Sequence, residues 1–337
     1  MTGEGDDAGG RAELIADRGE AAASEEFFRS RPFLQAEGVT HTLRIEADGA
    51  ELLAPLIVRE IPGTEECDAI SPYGYPGLAV RSRGRERRGA DPTSAGPASD
   101  PPGPPLDPRQ VDFSPTGLVS LFVRHTLGES ALAGTVERNV VQIADPALPR
   151  KSRGSDRNQV NRNRRAGYDV RLVTGPQTTP EDRAGFLAAY EETMRRAGAA
   201  ERYFFGAAYF DRILESPRAW LALADAPGGE VAAGSIVVRS DGFLHYYLSG
   251  SADAQLRDSP MKNVVLALVD FAAEQALPLN LGGGISSGDR LEEFKRGFAN
   301  REQAWSSSEI VCDPDAYARL SAGYEVGSFF PAYRAPR

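Results

Sequence analysis

The sequence is poor in several residues on which common site chemistries depend. Its 2 cysteines, Cys67 and Cys312, lie far apart and lack the spacing of metal ligands, which is typical of a protein in a reducing cytoplasm. Its 3 histidines, His41, His125 and His245, exclude a histidine-rich metal site. We therefore predict a cytoplasmic protein that binds no metal.

Long hydrophobic runs are also missing. The strongly apolar run 264–269 is closed by Asp270, whereas a membrane-spanning helix needs about 20 apolar residues. The N-terminal stretch MTGEGDDAGGRAELIADRGE is acidic and has no apolar core, unlike a secretory signal. The sequence thus predicts no integral membrane contact.

The overall composition is that of a globular protein. The 337 residues are enough for two domains, and 41% are hydrophobic and 26% charged. A net charge of −10 argues against indiscriminate nucleic-acid binding, although a local basic patch can still act. Nothing in the sequence indicates an oligomeric state.

Three stretches are predicted to lie outside the folded domains. Residues 1–26 are acidic and poor in large apolar side chains, and we expect a disordered tail. Residues 81–109 contain seven prolines between Asp91 and Pro108, and strand-like sequence flanks them, which favours a mobile inserted loop. Residues 326–337 are assigned to a C-terminal tail.

Two folded regions remain, 27–165 and 166–325. The first contains alternating strand-like segments with a turn signal at Asp48-Gly49. The second begins with a capping box at Thr179 and Asp182, continues with three strands, and then alternates helix, strand and helix. This order predicts an α/β fold with mixed, mostly antiparallel sheets flanked by helices.

The stretch LGGGISSGDRLEEFKRGF, residues 281–298, places three glycines between a predicted strand and a predicted helix. It matches neither GxGxxG nor GxxxxGK[ST], so a tight turn is favoured over a phosphate cradle. In the helix, Asp289 and Glu292 form a cap pair. The predicted buried face comprises Leu291, Phe294 and Phe298, with Lys295 at its edge. Lys295 then either extends to solvent or points into a cleft, where it stabilises negative charge on a carbonyl oxygen.

The strand FLHYYLSGS is rich in aromatic residues. Strict alternation puts Phe243, His245, Tyr247 and Ser249 on one face, and Leu244, Tyr246 and Leu248 on the other. Such aromatics usually pack in a core or across strands. A site role for His245 is the alternative.

A basic segment spans Arg150 to Arg171, with eight Lys or Arg against two acids. In helical register, Arg157, Asn161, Arg164 and Arg165 form one stripe, which Gly167 ends. The stripe is either a solvated helix face or a binding surface for a phosphate-bearing partner such as tRNA.

Several motifs occur in the order seen in Fem-type (FemAB-like) aminoacyltransferases of the GNAT superfamily: DAISPYGYPGL, LFVRH, the basic helix, HYYLSGS, SPMKNVVL, LNLGGG and EEFKRGF. The resemblance covers about residues 27–325. It implies two tandem GNAT-like domains and an enzyme that moves an aminoacyl group from aminoacyl-tRNA to an amine. The helical-hairpin arm of some Fem-type enzymes is absent, and the proline-rich insertion has no place in the family plan.

The resemblance also implies roles for individual residues. Phe294 and Lys295 match the Phe-Lys pair that lines the transfer site, and Tyr246 matches the strand tyrosine before the Gly-Ser corner. The predicted catalytic residues are Lys295, Phe294 and Tyr246. The predicted substrate-binding residues are Asp68, Tyr73, Tyr75 and His245, and the predicted tRNA-binding residues are Arg157, Arg164 and Arg165.

The donor is the main open question. GNAT enzymes that use acetyl-CoA carry a glycine-containing pyrophosphate loop after the fourth strand, but SADAQLRDSPMKN has no glycine there. We therefore predict aminoacyl-tRNA as donor, no cofactor, and peptide bond formation on a peptide-like acceptor. That acceptor is a natural-product intermediate, as in antibiotic biosynthesis, or a peptidoglycan stem peptide. The alternatives are a CoA-dependent N-acyltransferase and a non-catalytic tRNA- or nucleotide-binding protein.

Overall fold

The computed structural model describes residues 9–47, 49–82, 104–128, 130–284, 286, 288–325, 327 and 329–335. These residues form two compact units. As far as it is described, unit 1 comprises Met1–Ala23, Gly38–Arg138 and Ser306–Arg337, and unit 2 comprises Ser24–Glu37 and Asn139–Trp305. This division differs from the predicted one at residue 165, because a segment near each end of the chain packs with the unit that is remote in sequence.

The strands and helices follow the chain in this order. The strands are β1 (Gly10–Ile15), β2 (His41–Ala47), β3 (Ala50–Glu60), β4 (Cys67–Ile70), β5 (Ala79–Ser82), β6 (Val111–Asp112), β7 (Leu118–Arg124), β8 (Val136–Ala144), β9 (Asp169–Thr174), β10 (Ala219–Asp225), β11 (Val231–Ser240), β12 (Phe243–Ser251), β13 (Leu279–Asn280) and β14 (Arg301–Val311). The α-helices are α1 (Arg31–Ala36), α2 (Gly154–Ala166), α3 (Pro180–Arg196), α4 (Ala207–Ile213), α5 (Met261–Glu274), α6 (Arg290–Arg296) and α7 (Pro314–Leu320).

Unit 1 is built on a mixed, mostly antiparallel sheet. Its strand order is β6-β1-β2-β3-β4-β7, followed by residues 307–311 of β14, and β5 pairs with β3. The pairs β1–β6 and β4–β7 are parallel. The core consists of buried side chains of the central strands, among them Leu43, Ile45, Leu56, Leu121 and Val123.

The N-terminal segment corrects the prediction of a disordered tail over residues 1–26. Strand β1 pairs with β2 in antiparallel register, and Ala12 is fully buried. The carboxylate of Asp17 accepts the backbone N–H groups of Gly19 and Ala21, which orders the turn that follows. The segment RAELI alternates apolar and charged residues as a strand does, but the acidic composition of residues 1–26 as a whole favoured a disordered tail. Residues 1–8 lie outside the described residues.

The other two predicted extensions also have structured parts. Residues 83–103 of the proline-rich loop lie outside the described residues, but Leu106 beyond them forms a β-bridge with Leu132. In the predicted C-terminal tail, Tyr333 is 8% exposed and packs with Ile61 and Val119. The tail is therefore part of unit 1.

Unit 2 contains a second mixed sheet with the order β8-β13-β12-β11-β10-β9. Its antiparallel pairs surround one parallel pair, β12–β13. Helix α3 begins at the predicted capping box, in which Thr179 and Asp182 exchange hydrogen bonds. Ser259 before the next helix adopts a left-handed conformation, and α5 begins after Pro260 without a side-chain cap. Both units have the predicted α/β architecture.

The two faces of β12 contact different partners. Leu244 and Tyr246 pack in the cluster around α5, whereas His245 and Tyr247 contact the ring of Phe28 on the opposite face. Val237 pairs with Tyr246 and Ile236 with Leu248, so Tyr247 is the additional residue of a β-bulge. The Ser249 side chain hydrogen-bonds Tyr246, so the strict alternation predicted for this strand stops at the bulge.

No helix among the described residues is both long and apolar enough to cross a membrane.

Candidate active site

The candidate site lies in unit 2, where the two parallel strands separate. The β12–β13 ladder consists of two pairs, Leu244 with Leu279 and His245 with Asn280. β12 continues to Ser251, whereas the chain after Asn280 enters the three-glycine turn. Diverging parallel strands leave backbone and side chains open to a ligand at their carboxyl ends.

Helix α6 brings Lys295 to this turn. The helix starts at Asp289, whose carboxylate accepts the N–H of Glu292 at 2.7 Å, and Glu292 accepts the N–H of Gly288 at 2.7 Å, which confirms the predicted cap pair. Lys295 is only 8% exposed, and its Nζ donates to the carbonyl oxygen of Gly283 at 2.7 Å. The ammonium therefore points into the protein and does not extend to solvent.

The predicted buried face of α6 is only partly correct. Phe298 is 2% exposed and its ring contacts that of Phe294 at a centroid distance of 5.6 Å, whereas Leu291 is 41% exposed. The helix is short and turns Leu291 outward, while Lys295 takes a buried position. In a helix of only seven residues, the spacing of apolar side chains does not show whether Leu291 or Lys295 lies on the buried side.

Burial changes the proton affinity of Lys295. Desolvation lowers the pKa of its ammonium from 10.5 to about 8, against the opposing effect of the nearby Asp289 carboxylate. At pH 7 a group with this pKa is still charged in roughly nine of ten molecules. Lys295 is thus a buried cation that can still lose its proton near physiological pH.

Close packing explains the glycines of the turn. Gly282 has φ 78°, and a Cβ there would lie 3.1 Å from Lys295 Nζ. A Cβ on Gly283 would lie 2.6 Å from Asn139 Nδ2. These contacts agree with the tight turn predicted for this stretch, since the glycines let backbone and ammonium approach each other.

Tyr246 and Phe294, the other predicted catalytic residues, both pack against the hydrophobic cluster of α5 and β13. Burial raises the pKa of Tyr246 to about 12, so its hydroxyl stays protonated at neutral pH. The structure thus places both aromatic residues in the same core region of unit 2.

His245 differs from its predicted role as a substrate-binding residue. It is 2% exposed, with Nε2 3.2 Å from the Ser240 carbonyl oxygen and Nδ1 3.1 Å from Asn280 Nδ2. Burial lowers the pKa of the imidazole to about 4. Because both ring nitrogens are used within the protein, His245 is a neutral core residue.

A basic cavity of about 730 Å³ lies between α2 and α5. It contains two of the predicted tRNA-binding residues, Arg157 and Arg164, whereas Arg165 is exposed and outside its lining. Its lining residues are Arg150, Lys151, Ser152, Arg157, Asn161, Arg164, Leu266 and Asp270. Four cations therefore face one carboxylate, Asp270, which is paired with Arg150 at 2.6 Å.

Sequence reasoning missed Arg150 and Lys151 as cavity residues because they precede the helix. They are the first two residues of the basic segment, so the charge run was the available signal. It also missed Asn280, which lies between His245 and the glycine turn.

Asp68 in unit 1 corrects another predicted substrate contact. Its side chain is fully buried, and three side chains hydrogen-bond its carboxylate. The donors are Arg59 Nε at 2.9 Å, Arg334 Nε at 2.5 Å and the Tyr333 hydroxyl at 3.2 Å. Asp68 thus holds the C-terminal segment on β4 and has no exposed oxygen for an acceptor.

Tyr73 and Tyr75 lie in the loop that follows β4. Tyr73 is 38% exposed, and the loop is held to the end of β7. Ser71 donates its N–H to Phe122, and the Arg124 guanidinium donates to the Ser71 carbonyl at 2.7 Å. These hydrogen bonds fix the start of the loop that carries the two tyrosines. Their contacts with an acceptor remain predictions.

Comparison with known proteins identifies the fold. Residues 150–296, all within unit 2, match the family model described as an acetyltransferase (GNAT) domain. No curated protein sequence matches the chain. The crystal structure of FemX is similar over 91% of this chain and 99% of its own, with a TM-score of 0.58 and 10% identity.

Two further solved structures have the same fold. L-PGS from Bacillus licheniformis is 13% identical, with a TM-score of 0.52 over 89% of this chain and 92% of its own. The C-terminal domain of a putative lysylphosphatidylglycerol synthetase from Agrobacterium fabrum is also 13% identical, with a TM-score of 0.53 over 89% of this chain and 93% of its own.

These findings confirm the predicted α/β fold, with a GNAT-type domain over residues 150–296 and a likeness in fold that extends over most of the chain. Residues 150–296 thus match an acetyltransferase (GNAT) domain, and the chain has the fold seen in FemX, in L-PGS and in the domain of the putative lysylphosphatidylglycerol synthetase.

Proposed function

We propose that this protein is an aminoacyltransferase that moves an aminoacyl group from aminoacyl-tRNA to the amine of a peptide-type acceptor. The observation that carries the proposal is the buried, charged Lys295 at the opening between β12 and β13. The likeness in fold to FemX and to lysylphosphatidylglycerol synthetase supports it. The acceptor is a natural-product intermediate or a peptidoglycan stem peptide.

The reaction needs little covalent participation by the protein. The acceptor amine attacks the ester carbonyl carbon of the aminoacyl-tRNA, a C–N bond forms, and the carbonyl oxygen becomes an oxyanion. The C–O bond to the ribose then breaks, and the proton lost by the amine ends on the ribose oxygen. Because the ester is already activated, the protein must chiefly orient the two substrates and stabilise the oxyanion.

Lys295 is the proposed oxyanion partner. Its Nζ has one acceptor among the described residues, the Gly283 carbonyl, and an ammonium has three protons to donate. A charge in a buried environment interacts more strongly with a developing oxyanion than the same charge in water. Phe294 and Tyr246, which both pack against the hydrophobic cluster of α5 and β13, are proposed to line the site.

The junction between β12 and α5 favours tRNA over CoA. Residues 253–258 form a 3₁₀ helix there, with Asp253 and Asp258 where a pyrophosphate would need positive or neutral donors. The first amides of α5 are already used, because Lys262 donates its N–H to Ser259 and Asn263 to Pro260. A pyrophosphate cradle needs unused backbone N–H groups, so this junction does not fit CoA.

The basic cavity is the proposed contact for tRNA phosphates. The Arg157 guanidinium is held by its hydrogen bond to the Ser152 carbonyl at 2.5 Å, and Arg164 lies about two helical turns further along α2. Neutralising phosphates with such cations releases counterions, which makes the binding strongly dependent on salt.

A single experiment tests donor choice. Purified protein is incubated with a charged tRNA pool or with acetyl-CoA, each with a panel of peptide amines, and products are detected by mass spectrometry. We expect aminoacyl adducts with charged tRNA and no acetylated product. Acetylation from acetyl-CoA, without aminoacyl transfer, would replace the proposal by the CoA-dependent alternative.

A pair of neighbouring arginines provides the matched control for tRNA binding. Arg164→Glu reverses a charge inside the cavity, and Arg165→Glu makes the same change on the adjacent residue outside it. We expect Arg164→Glu to weaken tRNA binding by at least about tenfold and to reduce the salt slope by about one, and Arg165→Glu to have a smaller effect. Equal effects of the two changes would remove the cavity from the binding site.

A further inference from the structure

A chain of buried hydrogen bonds leads from the sheet of unit 2 to the glycine turn that holds Lys295. His245 and Asn280 are each 2% exposed. Nε2 of His245 contacts the Ser240 carbonyl at 3.2 Å, and Nδ1 contacts Asn280 Nδ2 at 3.1 Å. Asn280 Oδ1 then accepts the backbone N–H of Gly282 at 2.8 Å.

The two backbone groups at the ends of this series of hydrogen bonds determine which atoms between them donate and which accept. A backbone carbonyl only accepts, so His245 must carry its proton on Nε2. A backbone amide only donates, so the Asn280 atom that faces Gly282 must be the oxygen. The Asn280 amide nitrogen therefore faces His245 and donates to its unprotonated Nδ1, which requires a neutral imidazole.

The chain ends at the carbonyl that binds the ammonium. The amide of Gly282 is held by Asn280, and its carbonyl accepts the N–H of Gln142 at 3.1 Å. The next carbonyl, that of Gly283, is the acceptor for Lys295 Nζ at 2.7 Å. These two hydrogen bonds fix the backbone of Gly282, the residue that directly precedes the Gly283 carbonyl.

We infer that Asn280 is a positioning residue for Lys295, acting through the amide of Gly282 to hold the carbonyl that anchors the ammonium. His245 has a supporting part, because its Nδ1 fixes the orientation of the Asn280 amide. Neither residue needs to touch a substrate. The inference rests on the proposed function only where turnover is measured, since the position of Lys295 is observable without it.

The lysine content of the chain makes the position of Lys295 measurable. Its only lysines are Lys151, Lys262 and Lys295. Trace labelling with an amine reagent over a pH series, followed by peptide mass spectrometry, gives a labelling rate and a midpoint for each lysine. In the native protein, Lys295 should label slowly, with a midpoint near its pKa of about 8.

The test compares Asn280→Ala with Asn263→Ala. Asn263 is a matched control, since it is buried in the same unit at 3% exposure and its hydrogen bond goes to Asn163 on α2, away from the turn. In Asn280→Ala we expect the Lys295 midpoint to rise by at least about one pH unit, its labelling rate to increase, and kcat to fall at least about tenfold with KM nearly constant. In Asn263→Ala both lysine readouts should stay at the native values even if the melting temperature falls.

A second pair of variants keeps the inference testable if Asn280→Ala does not fold. His245→Gln retains one acceptor for the Asn280 amide and one donor for the Ser240 carbonyl, whereas His245→Leu removes both. We expect a native Lys295 midpoint in His245→Gln and a raised one in His245→Leu.

A native midpoint in Asn280→Ala and His245→Leu, with only lower melting temperatures, would overturn the inference and leave a purely structural hydrogen-bond chain. A shifted midpoint in a protein that shows no aminoacyl transfer would support the positioning role and count against the proposed function instead.

Discussion

Asp68 on β4 of unit 1 and Lys295 on α6 of unit 2 are both buried charged residues, but their surroundings differ. Asp68 is bonded to the guanidinium groups of Arg59 and Arg334 and to the Tyr333 hydroxyl. Lys295 donates to the neutral carbonyl of Gly283, and the nearby Asp289 carboxylate acts on it through its charge.

This difference separates a charged group that holds two segments together from one that is available for catalysis. A buried carboxylate with two cations and a hydroxyl is fully compensated, and it serves to join β4 to the C-terminal segment. A buried ammonium with a neutral acceptor is incompletely compensated even with the Asp289 carboxylate nearby, and burial therefore lowers the pKa of Lys295 to about 8. Incompletely compensated groups of this kind concentrate at functional sites.

The largest expected effect is that of Lys295→Met on turnover. The change keeps the aliphatic stem and removes the charge, so kcat should fall by about 10²–10³-fold, the usual loss for one oxyanion partner. The free energy of unfolding should change by less than about 1 kcal/mol or increase, because a buried charge is removed. Single-turnover rates with charged tRNA and urea unfolding measure the two quantities.

Lys262→Met is the control for that experiment. Lys262 is paired with the buried Asp156 at 2.9 Å, so its loss should cost stability and leave turnover close to native. A native rate in Lys295→Met would reduce Lys295 to a buried packing residue and leave the proposed chemistry without its cation.

The second prediction concerns Asp68→Asn. Removing this carboxylate charge leaves Arg59 and Arg334 without their counter-ion, and we expect the free energy of unfolding to fall by about 3 kcal/mol. Turnover at temperatures where the protein stays folded should be nearly native. Asp107→Asn, which breaks the exposed pair with Arg109, should have a much smaller effect on stability. If Asp68→Asn lost turnover but kept native stability, Asp68 would be a substrate-binding residue, as the sequence predicted.

The sequence alone predicted the class of fold and the stretch that carries Lys295. Periodicity and cap signals are local, which is why the capping box at Thr179 and the cap pair at Asp289 and Glu292 were predicted correctly. The buried position of Lys295 depends on the turn at Gly282, and that contact is remote from any helical pattern.

Long-range pairing accounts for the errors. Asp68 lies 266 residues from Arg334 in sequence, so no window reveals that its carboxylate is already occupied. Strand β1 is part of the core only because it pairs with β2. Both ring nitrogens of His245 form hydrogen bonds with residues on other strands, Ser240 and Asn280. A candidate list made from residue type alone cannot separate occupied polar groups from available ones.

The third prediction uses pH to distinguish the charged from the neutral form of Lys295. If the ammonium is the active form, the ratio of native to Lys295→Met turnover should be constant below pH 7 and fall about tenfold per unit above pH 8. Taking the ratio cancels the titration of the acceptor amine. A ratio that rises through pH 8 would instead identify the neutral amine as a general base.

The same titration has a consequence for stability. The folded pKa of Lys295 lies below the ordinary 10.5, so between pH 8 and 10.5 the unfolded chain binds the extra proton. Stability attributable to this residue should therefore rise with pH in that window, by about 1.4 kcal/mol per unit at most, and be absent in Lys295→Met. The difference between the two unfolding curves removes the contributions of other groups.

The smallest effect is expected from Tyr333→Phe, which tests whether Asp68 is fully compensated. The Tyr333 hydroxyl is 3.2 Å from Asp68 and 2.7 Å from Ser120, so the change removes one neutral donor and leaves both arginines in place. The free energy of unfolding should fall by about 1 kcal/mol, the usual net value of one hydrogen bond, and turnover should not change. Urea unfolding of the single and double variants with Asp68→Asn measures the coupling of the two groups. A loss of 3 kcal/mol or more in the single variant would show that the hydroxyl is essential to the compensation of Asp68, and the contrast with Lys295 would then be one of degree.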